Sequence, residues 1–255
     1  MSIRLTGKVI AIGGAGAIGG AIAMRIASEG GAVAIGDMDG SNAKAVAERI
    51  TASGGKAFGM TVDIGDDTSV GAFVAAAVKT FGGLDGFHAN AANFVHGNAD
   101  TDALDVSLEV FDDIMRVNAR GFLLCTRHAI PEILKRGGGT MLYTSSGAAY
   151  APGDVRPAYS MSKNAVHGLM RHVAARWGRD RIRANVIAPG VIMHEKLERL
   201  LDDNFFKWAN SRIAVKGRLG KVEDIASMAA LLFSDEGAYI TGQVISIDGG
   251  STMRA

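Results

Sequence analysis

Short apolar runs alternate along the chain with longer stretches whose apolar positions recur every three or four residues. The short runs are KVIAIG (8–13), AVAIGD (32–37), KAFGMTVD (56–63), LDGFHAN (84–90), GTMLYTSS (139–146), IRANVIAPG (182–190) and QVISIDGG (243–250). Each is too short for a helix and is apolar on both faces, the pattern of a strand buried in a parallel sheet. Between them the periodic stretches predict helices over 18–31, 42–55, 69–83, 108–135, 157–180 and 222–234. Glycine pairs at 30–31, 54–55 and 82–83 read as helix stops. Strands alternating with helices imply βαβ units. Right-handed crossovers then make a doubly wound α/β sheet, helices on both faces, the simplest topology. The stretch between 191 and 220 fits no strand–helix repeat and predicts one or two short helices outside the sheet.

Composition adds constraints. The 255 residues, 48% hydrophobic, suit one sizeable core, and no linker divides the chain. Twenty-seven basic and 26 acidic residues nearly cancel and are scattered, so no nucleic-acid or anionic-membrane partner is expected. No apolar run is long enough to span a bilayer, and the N-terminus does not read as a signal peptide. One cysteine, Cys125, allows no internal disulfide and fits a reducing, cytoplasmic setting. It lies in GFLLCT and reads as a core filler. The six histidines show no metal-ligand spacing, so no metal site is expected. His88 reads as a buried core residue, while His96 and His194 lie in loops that could border a pocket.

Candidate chemistry begins at the first strand–helix turn, IAIGGAGAIGGAIA. Gly14, Gly16 and Gly19 fit G-x-G-x-x-G, and Gly13, Ala17 and Gly19 fit a looser glycine pattern with one alanine. Small residues there let backbone approach a pyrophosphate at a helix N-terminus. Asp37 ends the second strand 18 positions after Gly19 (37 − 19). A carboxylate there can accept both ribose hydroxyls and repels a 2′-phosphate, by about 4 kcal/mol at ~4 Å and an effective dielectric of ~20. No basic residue lies in the turn or beside Asp37, whose neighbours are Gly36 and Met38, so NAD is expected over NADP. A helix N-cap role suits Asp39 or Ser41 better. Further on, PAYSMSKNAV places Tyr159 and Lys163 four residues apart, on one face of a helix.

With these motifs in order, the chain resembles the short-chain dehydrogenase/reductase family nearly end to end. The resemblance rests on the glycine turn, Asp37, Asp63, ANAA (89–92), Asn118 in MRVNARGF, Ser146 in YTSSGAA, YSMSK (159–163) and NVIAPGVI (185–192). It implies a single Rossmann-like domain of about seven parallel strands, usually a homotetramer or dimer. The implied activity is the NAD(P)-dependent interconversion of an alcohol and a carbonyl. It implies a catalytic set of Asn118, Ser146, Tyr159 and Lys163, the serine 13 positions before the tyrosine, which favours Ser146 over Ser145. It implies that Gly13, Gly16, Ala17, Ile18 and Gly19 cradle the pyrophosphate, that Asp37 and Met38 meet the adenosine ribose, and that Asp63 and Ile64 flank the adenine. Asn90 and Ala91 would follow the next strand, and Pro189, Gly190 and Ile192 would hold the nicotinamide end. Ile12, Ala17, Ala89 and Ala92 depart from the family's usual residues. The sequence MHE (193–195) replaces its usual threonine, so His194 marks a loop whose cofactor contacts differ.

The expected reaction is hydride transfer between NAD and a small-molecule secondary alcohol or its ketone, with Tyr159 as general acid/base. Lys163 would depress the tyrosine's pKa, and Asn118 would hold a water leading from Lys163 to solvent. A segment at about 191–215 would form a substrate lid. Its Leu197, Leu200, Leu201, Phe205, Phe206 and Trp208 read first as core or subunit contact. Where they face the pocket, they imply a substrate with an apolar portion. Arg199, Lys207 and Arg212 read as pointing to water. A 3-oxoacyl-type carbonyl reductase and a non-catalytic NAD-binding protein are the alternatives; Asp37 argues against the first and the intact Tyr159–Lys163 pair against the second.

Overall fold

The computed structural model describes residues 3–93, 98–151, 153–199 and 202–253. Seven apolar runs form one parallel sheet: β1 (Val9–Gly13), β2 (Ala32–Asp37), β3 (Lys56–Thr61), β4 (Gly86–Ala89), β5 (Gly139–Thr144), β6 (Ile182–Pro189) and, last in the chain, β9 (Val244–Ile247). Their order is β3-β2-β1-β4-β5-β6-β9. The order in which the chain adds strands therefore reverses between β1 and β4, and β1 is flanked in parallel register by β2 and β4, Gly13 lying opposite both Gly36 and Ala89. Such a switch point leaves a crevice at the strands' C-terminal ends.

Alternation along the strands divides the core. Val9 and Ala11 of β1 point to one apolar layer, Ile10 and Ile12 to the other. The first layer is closed by α3 (Asp67–Phe81), α5 (Gly121–Lys135) and α6 (Pro157–Trp177); the second by α1 (Ala17–Ser28), α2 (Gly40–Ala52) and α9 (Val222–Phe233). Local chemistry marks the helix ends. The Asp39 carboxylate accepts from the Ser41 and Asn42 amides and caps α2, as expected. Gly30, Gly54 and Gly82, the first of each glycine pair, have positive φ. Cys125 is fully buried, and burial pushes its thiol well up, consistent with a core role.

The structure refines two expectations. The long helix predicted over 108–135 is α4 (Leu108–Met115) running into α5 through a π-helical turn at Arg116–Arg120. Among the described residues between 191 and 220 lie two short helices, α7 (Glu195–Glu198) and α8 (Asp203–Ser211). A two-stranded ribbon of β7 (Ile192–Met193) and β8 (Gly220–Lys221) was not foreseen. Two residues per strand carry too little periodicity to be read as a strand.

Gly19 is the tightest point of the fold near the crevice. A Cβ there would overlap the Gly14 carbonyl oxygen and crowd the Asn90 amide. Gly14 cannot yield, because it holds φ +110° against the Ala91 backbone. Gly19→Ala is expected to destabilise by about 1–3 kcal/mol, a fall in Tm of roughly 2–4 °C per kcal/mol for a chain of this size. Calorimetry reads the first effect, and nucleotide titration an accompanying loss of affinity.

Candidate active site

The C-terminal ends of the strands open into a cleft of about 1760 Å³. Its wall is built from the helix that follows β5. Pro157 starts α6 at its first position, where a missing N–H costs nothing. Arg156 before it adopts φ 69° and supplies no side-chain cap. The cap comes instead from a distant loop: the buried Asp100 carboxylate accepts from the Ala158 amide (3.1 Å) and the Tyr159 amide (2.9 Å). The Arg156 amide in turn donates to the carbonyls of Asp100 and Thr101. The turn carrying Tyr159 is thereby tied to the 98–106 loop.

One helical turn on, Lys163 is buried, its Nζ donating to the Thr144 carbonyl at 3.0 Å. The ammonium lies 5.7 Å from the Tyr159 ring centre and 5.1 Å from that of Phe122. Burial pushes the Lys163 pKa down to about 7. Burial raises the Tyr159 pKa instead, with a hydrogen bond from Ser146 and the charge of Arg156 working the other way. In the protein alone, burial outweighs the lowering influences on the phenol, so its pKa lies above the ordinary value rather than below it. Lys163 is out of water and Tyr159 is partly so, and desolvation penalises the charged form of each.

Ser146 and Ser145 separate cleanly. Both border the cleft, but only Ser146 hydrogen-bonds Tyr159 among the described contacts. The Ser145 hydroxyl donates to the Lys163 carbonyl (2.9 Å) and meets His167 Nε2 (2.8 Å), bracing α6 from behind. Asn118 stands behind the wall, fully buried in the π turn. Its Oδ1 accepts from the Asn93 amide (2.7 Å), and its Nδ2 donates to Ser162 Oγ (3.1 Å), which donates on to the Tyr159 carbonyl (2.7 Å). Within the π turn Asn118 is buried, while Arg116 reaches Asp63 and Arg120 reaches the Gly65 carbonyl, both just after β3.

The other half of the cleft is the switch-point crevice. Gly16, Ala17, Ile18, Asp37, Met38, Asp63, Ile64, Asn90, Ala91, Pro189, Gly190 and Ile192 all line it. Gly13 and Gly19 do not; they form the floor, where the Gly13 carbonyl accepts from the Asn90 and Ala91 amides. Asp37 Oδ2 accepts from the Ala15 amide at 2.6 Å and Oδ1 from the Asp39 amide at 2.9 Å, fixing the carboxylate against the glycine turn. Asn90 is locked between the Gly14 carbonyl and the Thr144 hydroxyl. His88 holds that hydroxyl at 2.7 Å, so it is the core histidine expected, and burial lowers its pKa to about 3. A cradle in which side chains are excluded at Gly14 and Gly19, opening onto a carboxylate at the end of β2, fits a dinucleotide.

Sequence reading missed several residues. Arg116 bridges Asp63 (3.0 Å) and Asp113 (3.1 Å), and Asp113 accepts from the Asn93 side chain (2.7 Å). The Arg116–Asp113 pair was legible as an i,i+3 spacing, but its reach to Asp63 was not. Asp100 has no local signal, since its partners lie 58 and 59 residues away. Of the 191–215 segment, Leu197, Phe205, Trp208 and Arg212 line the cleft. Arg212 thus corrects its reading as a merely solvent-facing base: it is exposed, but over Trp208 on the cleft wall. Phe206 packs with Ala209, Ile213 and Leu219, whereas Arg199 pairs with Glu195. His194 lines the cleft and caps α7 through Nδ1. His96, Leu200 and Leu201 lie outside the described residues. Among the described residues, no group of His, Cys, Asp or Glu could hold a metal ion, and no helix is long and apolar enough to cross a membrane.

A family model described as enoyl-(acyl carrier protein) reductase matches residues 13–252. A probable short-chain type dehydrogenase/reductase of Bradyrhizobium diazoefficiens is 41% identical over 97% of this chain and 88% of its own. The 2,5-dichloro-2,5-cyclohexadiene-1,4-diol dehydrogenase LinX of Sphingobium indicum is 36% identical over 98% of each chain. Among solved structures, a 7α-hydroxysteroid dehydrogenase complexed with NADH and 7-oxo glycochenodeoxycholic acid superposes with a TM-score of 0.90. It is 28% identical, with 99% of this chain and 97% of that one covered. With the seven-stranded parallel sheet and the Ser146–Tyr159–Lys163 wall already in place, these similarities establish that the chain belongs to the short-chain dehydrogenase/reductase family of oxidoreductases.

Proposed function

We propose that the protein is an NAD-dependent dehydrogenase interconverting a secondary alcohol and its ketone. The observation that carries this reading is the pair of hydrogen-bonded hydroxyls, Ser146 and Tyr159, on a wall shared with Lys163 and with the Asp37 crevice. Two hydroxyls converging on one point suit a single reacting oxygen. That arrangement favours chemistry at a CH–OH centre over reduction of a carbon–carbon double bond, which the matching family's description would suggest.

Bound NAD supplies the hydride acceptor; the chain's residues manage the proton and the geometry. Tyr159 takes the alcohol proton in oxidation and returns it in reduction. Ser146 donates to the substrate oxygen as negative charge develops on it. Lys163, with a pKa near neutrality, feeds or drains the proton from the Tyr159 side. Asn118, fixed at both ends of its amide, holds Ser162 and through it the Tyr159 backbone. Asp37 takes the ribose hydroxyls, with Asp63 and Ile64 at the adenine and Pro189, Gly190 and Ile192 at the nicotinamide. The 191–215 segment acts as the lid, its Leu197, Phe205 and Trp208 covering an apolar part of the substrate. The neighbour's NADH and the diol substrate named for LinX support this reading. A homotetramer joined through α4–α6, where Leu108 and Leu123 are exposed, is the proposed assembly, and sedimentation checks it.

Secondary alcohols offered with NAD and with NADP test the function. NAD is expected to be preferred at least about a hundredfold, since a repulsion of about 4 kcal/mol exceeds two factors of ten. Asp37→Asn should cut that preference by about tenfold or more. Equal rates with both nucleotides, or no nucleotide reduction with any alcohol, would reject the assignment.

A further inference from the structure

The lid wall carries an unbalanced charge. Elsewhere in the cleft Arg116 is held by Asp63 and Asp113, Arg156 has Asp102 and Asp154 among the lining residues around it, and Asp37 and Lys163 are held by backbone groups. The lid contributes His194, Leu197, Phe205, Trp208 and Arg212 to the lining, and no carboxylate among the described residues. Among those residues Arg212 makes no side-chain hydrogen bond or ion pair, unlike Arg4, Arg25, Arg136, Arg199 and Arg218. Its guanidinium instead stacks 4.9 Å from the Trp208 ring centre. A guanidinium lying over a ring keeps its N–H edge available, the arrangement that suits a two-pronged carboxylate. The platform is anchored. Arg212 closes α8, Ile213 beside it is buried, and the Ala214 and Val215 amides donate to the Gly249 carbonyl at 2.8 and 3.1 Å.

We propose that Arg212, laid on Trp208, is an anion-recognition point for the substrate, so that this dehydrogenase takes an apolar alcohol or ketone bearing a carboxylate away from the reacting carbon. The proposal rests on the dehydrogenase reading for the identity of the ligand, but its test does not need turnover. In a Trp177→Phe background Trp208 is the only tryptophan, since the chain has two. Its emission can be followed with NAD present while 3-(4-oxocyclohexyl)propanoate, 4-oxocyclohexanecarboxylate and their methyl esters are titrated. At least one of the acids should bind about tenfold tighter than its ester, with the advantage shrinking as salt is raised. Arg212→Ala should reduce that ratio to within about twofold, Arg212→Lys should keep part of it, and NAD affinity should change less than about threefold in both. Equal binding of acid and ester overturns the proposal, as does a preference that survives Arg212→Ala. No binding of any probe at millimolar concentration overturns it too. A large loss of NAD affinity in Arg212→Ala, with acid and ester still equal, assigns the guanidinium to the nucleotide's phosphates and equally overturns it. Failure of alcohol oxidation alone rejects the dehydrogenase reading and leaves these binding results to be judged by themselves.

Discussion

Tyr159→Phe is expected to lower kcat by about 10²–10⁴-fold, the usual contribution of a positioned proton donor or acceptor, while NAD affinity stays within a few-fold. The change removes one oxygen and keeps the ring. The backbone of residue 159 remains held by Asp100 through its amide and by Ser162 through its carbonyl. Neither tie involves the phenol, so the start of α6 keeps its place. The variant loses the proton route, together with the partner of Ser146. Because the phenol is neutral in both folded and unfolded chains near pH 7, the only stability change is the lost Ser146 hydrogen bond, so the variant should unfold at the same temperature as the parent or slightly below it. Steady-state rates with saturating NAD, set beside nucleotide titration and calorimetry, separate these effects. A variant turning over within tenfold of the parent would remove Tyr159 from the proposed chemistry.

Lys163→Met is expected to abolish turnover and yet to stabilise the fold near neutral pH. The lysine's pKa falls from 10.5 to about 7 on burial. At about 1.36 kcal/mol per unit, keeping it charged in the fold costs on the order of 4–5 kcal/mol. Methionine removes that cost but leaves the Thr144 carbonyl without its donor, a loss of about 1–3 kcal/mol. The net gain is therefore about 1–4 kcal/mol.

Linkage sets the direction of the pH dependence. Between about pH 7 and 10.5 the unfolded chain holds a proton on Lys163 that the folded chain does not. The contribution of this group to stability therefore rises with pH across that window and is at its lowest, and flat, below about pH 7. The advantage of Lys163→Met should be greatest at pH 6 to 7 and vanish or reverse by pH 10. Chemical denaturation of both proteins without nucleotide at several pH values measures it. An advantage that does not shrink with rising pH would show that Lys163 is not desolvated as the structure has it. Such a lysine, expensive in the fold and placed beside a phenol, is the mark of a site in which stability is given up for chemistry.

Much of this molecule was legible in the order of its residues. Runs such as AVAIGD are apolar on both faces, so burial inside a parallel sheet is the only arrangement that removes them from water, and β2 spans those six residues. The glycine turn, Asp37 and the four-residue step from Tyr159 to Lys163 depend on short-range geometry, which sequence spacing encodes directly. Assignment of Ser146 rather than Ser145 came from resemblance, and the fold supplied its physical basis by turning one hydroxyl to Tyr159 and the other to the Lys163 carbonyl of α6.

The rest was decided in three dimensions. Asp100 reaches α6 across 58 residues, and Arg116 reaches Asp63 across 53. No local pattern records such pairs, because they form only when separate loops are brought to the same edge of the sheet. The π turn at Arg116–Arg120 inserts a residue that helical periodicity does not anticipate. The pKa values belong to burial, a property of the whole packing, and this is why Lys163 comes near neutrality. Sequence determined which groups stand at the cleft and how far apart they are along the chain. Tertiary structure determined which of them lose their water, and in a buried site that loss governs where the protons sit.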